Sequence, residues 1–156
     1  MRHRTIAAAL AVLALAVMPA RAADVEVTVT NVRGDIGHVR VDLCTQAKFL
    51  KSDCAYNGAA PAQPGETVVT FTGVEPGEYA AQAFYDDTDA GKVHQGFLGI
   101  PREGVGFSND AGLRLGGPRF RDAAFAVPEG GAKIRLRLRY LLGSPRRPRR
   151  QPAAPP

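Results

Sequence analysis

The chain has 156 residues, 45% of them hydrophobic, and a formal net charge of +5 at pH 7. That suffices for one domain with a core of its own and is short for two. Three of the 20 basic residues (Arg2, Arg4, Arg21) precede residue 22 and four (Arg146, Arg147, Arg149, Arg150) lie near the end, which leaves 13 against 15 acidic residues in the body, a formal −2 that argues against nucleic-acid binding.

Residues 1–22 read as a signal peptide. Arg2 and Arg4 form a charged start, Ile6 to Met18 an apolar run too short to span a bilayer comfortably, and Ala20-Arg21-Ala22 after Pro19 a small-x-small cleavage signal. The mature chain is expected to begin near Ala23 and to be periplasmic or secreted, an uncleaved N-terminal anchor being the competing reading. No later stretch is long and apolar enough for a transmembrane segment.

The expected domain covers residues 23–142. Val25, Val27 and Val29 alternate with Glu26, Thr28 and Thr30, and Val39, Val41 and Leu43 alternate with Arg40 and Asp42. A period of two places the apolar set on a core face. Arg33 to Gly37 supplies a tight connection; its Arg-Gly-Asp also spells an integrin-type tripeptide, for which turn chemistry is a sufficient explanation.

Cys44 and Cys54 are the only cysteines, and in an exported chain an isolated pair predicts a disulfide. Closing a loop of that length is worth roughly 3 kcal/mol in denatured-state entropy. Tyr56 to Glu66, rich in Gly, Pro and Ala, reads as a surface connection.

Thr67, Val69 and Phe71 lead through the Glu75-Pro76-Gly77 turn to a strand over Glu78 to Tyr85. There Tyr79, Ala81, Ala83 and Tyr85 share one face, and Ala80, Gln82 and Phe84 the other. Ala123, Phe125 and Val127, a Pro128–Gly131 turn, and Ile134, Leu136, Leu138 and Tyr140 suggest a final hairpin. Arg135, Arg137 and Arg139 form an exposed basic ridge of a kind that can bind polyanions, though a solvated strand face or cross-strand pairing with acidic neighbours explains it as well. About seven short strands predict an all-β, immunoglobulin-like or prealbumin-like sandwich of antiparallel strands, with a small barrel as the alternative. Residues 143–156, nearly devoid of apolar side chains and rich in Pro and Arg, are expected to be disordered, with at most diffuse contact to anionic surfaces.

The long turn-rich stretch over Asp86 to Asn109 is where binding is expected. Asp86, Asp87, Thr88 and Asp89 before Gly91 raise a calcium loop. Counted from Asp86, however, Ala90 at the fifth position offers no side-chain oxygen and His94 at the ninth is a poor ligand for a hard cation, so no cofactor is expected. His94, the aspartates and Ser108 supply residue types for nucleophilic hydrolysis, and Glu103 with an aspartate those for acid–base hydrolysis. No Gly-x-Ser-x-Gly elbow or fixed carboxylate spacing supports either.

In the ordered set Gly34-Asp35-Ile36-Gly37, Pro76-Gly77-Glu78-Tyr79-Ala80, Phe84-Tyr85-Asp86-Asp87, the run Gly99 to Asn109, and Asp122-Ala123-Ala124-Phe125, the chain resembles the DUF2141 family of exported bacterial proteins of unknown function. It implies a secreted or periplasmic β-sandwich and no established reaction. Family members are expected to carry a richer Asp/Asn/Gly loop with a histidine where Tyr85 stands. The expected function is a noncatalytic module presenting the 86–109 loop to a glycan, peptide or envelope protein. Tyr85, Asp86, Phe97, Arg102, Glu103, Phe107, Ser108 and Asn109 are the candidate contacts.

Overall fold

A computed structural model describes residues 22–93, 101–113 and 117–141. Among these residues, eight strands form two packed sheets: β1 (Ala23–Val32), β2 (His38–Cys44), β3 (Tyr56–Pro61), β4 (Gly65–Val74), β5 (Gly77–Asp86), β6 (Val105–Phe107), β7 (Ala124–Val127) and β8 (Ala132–Arg137). The first sheet has the order β4-β1-β8. The second runs β3-β2-β5-β6, with β7 pairing the other half of β5. The all-β sandwich expected from the alternation is the fold observed.

The valines at alternate positions of β1 and β2 bury completely between the sheets. They meet Val69 and Phe71 of β4, Ala81, Ala83 and Tyr85 of β5, Leu136 of β8 and Leu138 beyond it. Burying each such aliphatic side chain contributes roughly 1.5–3 kcal/mol, so this layer dominates stability.

Three local expectations change. Tyr56–Pro61 is a strand paired with β2, not a surface connection; small side chains suit it, since a side chain at Gly58 would collide with Phe71 and Val69. The Pro128–Gly131 turn does not close a hairpin: β7 pairs with β5 and β8 with β1, so the turn carries the chain from one sheet to the other. The β1–β8 pairing is parallel, the exception among the otherwise antiparallel pairs of the described strands. Just past β8, Arg139 exchanges both backbone hydrogen bonds with Val105 of β6 (2.7 and 3.0 Å) and ties the two sheets together along that side.

The outer faces of the two sheets differ. On the first, Lys133 pairs with Glu26 (3.2 Å) and, of the arginine ridge, Arg135 pairs with Glu66 (2.6 Å). The second is covered by another apolar cluster in which Cys44, Ala80 and Phe107 meet Phe49, Cys54, Ala111 and Ala123. Phe49 packs edge-on against Phe107 (5.9 Å) and Phe120 (5.8 Å). The Cys44–Cys54 disulfide holds the loop that carries Phe49 over this face.

Candidate functional site

The 86–109 segment leaves the sandwich at the end of β5 and returns through β6, and each end is fixed by a buried polar side chain. Asp86 is 1% exposed. Its Oδ2 accepts from Arg40 Nε (2.7 Å) and the Gly91 N–H (2.8 Å), and its Oδ1 from the Ala90 N–H (3.0 Å) and, more weakly, Thr88 Oγ1 (3.4 Å). Burial disfavours the carboxylate. The Arg40 hydrogen bond and the N–H groups of Gly91 and Ala90 outweigh it and hold the Asp86 pKa below the ordinary 3.8. Asp89 lies just beyond, 2.5 Å from His38 Nδ1 and 3.8 Å from Arg40 Nη2. The turn demands glycine at position 37: its φ is +75°, and a side chain there would strike the Asp86 carbonyl.

At the other end Ser108 is 0% exposed. It accepts the Ala81 N–H (2.9 Å) and donates to the Ala123 carbonyl. Beside it, Asn109 donates to the Ala124 carbonyl (2.8 Å), and Asp110 Oδ1 accepts the Arg137 N–H (2.8 Å). Between the ends, the Gly104 carbonyl accepts the Tyr85 N–H (2.9 Å) and keeps the returning chain against β5.

The candidate contacts therefore separate. Tyr85 and Phe107 are buried, Tyr85 with its hydroxyl on the Ile36 carbonyl (2.9 Å) and Phe107 in the second apolar cluster, so neither ring forms an open platform. Asp86 and Ser108 serve the framework. With both hydroxyl interactions spent on main chain and no exposure, Ser108 has no route to a substrate as a nucleophile. Arg102 and Asn109 are exposed and Glu103 is half-buried. Phe97 and His94 lie outside the described residues.

A calcium ion at Asp86 would have to displace Arg40 and two N–H groups from the carboxylate, while Asp89 already faces a guanidinium and an imidazole. Those are cationic or donor neighbours, the opposite of the oxygen cage calcium needs. Among the described residues no three His, Cys, Asp or Glu side chains gather as a metal site, and no helix is long and apolar enough to cross a membrane.

His38 and Arg40 are the members of this site that sequence reasoning misses. Both lie on β2, and only the register His38↔Asp86 and Arg40↔Phe84 brings them to the loop. Their polar alternation was visible, but the β2–β5 pairing was not.

No curated protein and no solved structure matches the chain. Residues 27–135 match the model of DUF2141, described as an uncharacterized protein conserved in bacteria. The matched stretch runs from within β1 into β8 and takes in both buried anchors, so the chain belongs to the DUF2141 family.

Proposed function

We propose that the protein is a noncatalytic domain of the bacterial envelope that presents the surface of its 86–109 loop to a partner. The observation that carries this is the pair of buried anchors, Asp86 and Ser108, which hold both ends of a long segment against a sheet whose strands cannot shift without exposing core. Fixing loop ends lowers the ordering entropy that binding must offset. Of the partner classes, a peptide or protein fits the described residues better than a glycan. Two of the three candidate aromatic rings are packed away, while the exposed Lys92, Arg102 and Asn109 are polar.

The test is site-specific photo-crosslinking in the native bacterial envelope. A photoreactive residue replaces Lys92 or Arg102, with exposed Thr72 on β4 as the control position. Discrete adducts from the first two positions and none from Thr72 are expected. Adducts of equal yield from all three, or from Thr72 alone, would contradict the reading.

A further inference from the structure

Leu50 is 43% exposed and sits at φ +64°, a left-handed conformation that is unusual and costly for a bulky side chain. Three features hold it there. The 44–54 disulfide closes the loop, the Gln82 amide binds the Leu50 N–H (3.0 Å) and the Lys51 carbonyl (2.9 Å), and Gly117 leaves the space into which the Leu50 methyl projects.

The neighbouring Phe49 belongs to the second apolar cluster, against which the half-buried Phe120 and Leu113 also pack. Lys48, Lys51, Arg119 and Arg121 are all exposed along the two segments that form the lip, 45–54 and 117–123. These segments hold four cations against two carboxylates, Asp53 and Asp122, a net +2 in a body whose overall balance is negative.

We propose that this lip is a docking surface for an anionic lipid bilayer, with Leu50 entering the headgroup region and Lys51 and Arg119 supplying the charge attraction. A partly exposed apolar side chain among exposed cations is complementary to a soft, negatively charged surface. The lip lies at the Cys44 end of β2, and the 86–91 turn at the His38 end, roughly 20 Å away at strand rise. A lipid-bound lip would leave the 86–91 turn accessible.

The test uses the chain from Ala23 onward, which includes every described strand, in sedimentation with vesicles of phosphatidylcholine alone or of equal parts phosphatidylcholine and phosphatidylglycerol. Leu50→Asn removes the apolar knob, and asparagine tolerates the left-handed conformation, so the fold is retained; thermal unfolding checks this. The wild type is expected to bind only the anionic vesicles, Leu50→Asn to bind about tenfold more weakly, and Lys51→Glu with Arg119→Glu to lose binding. Absence of wild-type binding overturns the proposal. So does equal binding by all variants, which would assign the attraction to the basic terminus. Leu50-dependent binding to an acidic peptide without vesicle binding would also overturn it, in favour of a protein partner.

Discussion

Asp86 and Ser108 are about equally buried and sit at opposite ends of one segment, yet one anchors it through charge and the other through two neutral hydrogen bonds. The charged anchor reaches five residues into the loop, because a carboxylate has two oxygens with which to collect the N–H groups of Ala90 and Gly91 besides the Arg40 guanidinium. The neutral anchor holds its neighbours only. It joins β5 to the start of β7, and its stability depends on the apolar cluster that seals it. The charged end should therefore respond to acid, and the neutral end to packing.

The largest effect is expected from Asp86→Ala, which leaves Arg40 with only the more distant Asp89 carboxylate and two N–H groups without their acceptor. Arg40 is 31% exposed, so solvent recovers part of the loss, and a destabilisation of about 3 kcal/mol in denaturant unfolding is expected. The same variant isolates the pH dependence. Because the folded pKa of Asp86 is lowered, its contribution is complete above the ordinary 3.8 and is lost as pH falls through the folded value. Wild-type stability should therefore fall more steeply below about pH 4 than that of Asp86→Ala.

At the other end, replacing both Cys44 and Cys54 with alanine should cost roughly 3 kcal/mol and free the Phe49 loop from Phe107. The cost should be the same at neutral and mildly acid pH. Ser108→Ala leaves the buried Ala81 N–H without an acceptor, an expected loss of about 1–2 kcal/mol with no acid dependence. Smallest of all, Glu66→Gln breaks the exposed pair with Arg135 and should change stability by less than about 1 kcal/mol, less still in high salt. A cost for Glu66→Gln equal to that for Asp86→Ala would remove burial as the explanation of the charged anchor.

The sandwich was legible because Val25, Val27 and Val29, like Val39, Val41 and Leu43, have one way to bury at a period of two. Cys44 and Cys54 were legible by count. The parallel pairing of β8 with β1 was not, since Ile134 and Leu136 alternate identically in either direction. Asp86 and Ser108 drew notice as polar residues in a long loop, but as surface contacts; the partners that bury them, Arg40, Ala81 and Ala123, are distant in sequence and set by strand register. β3 was missed because Gly58, Ala59 and Ala60 carry no strand signal, and their small size makes sense only against Phe71 and Val69.

The most direct test of the charged anchor is hydrogen exchange at the amides of Ala90 and Gly91. Both residues are exposed, so protection there has to come from the Asp86 carboxylate. Slow exchange in the wild type at neutral pH, and exchange at the rate of an open chain in Asp86→Ala, is the predicted result. Fast exchange at both amides in the wild type would contradict it, and with it the fixed loop end on which the proposed function rests.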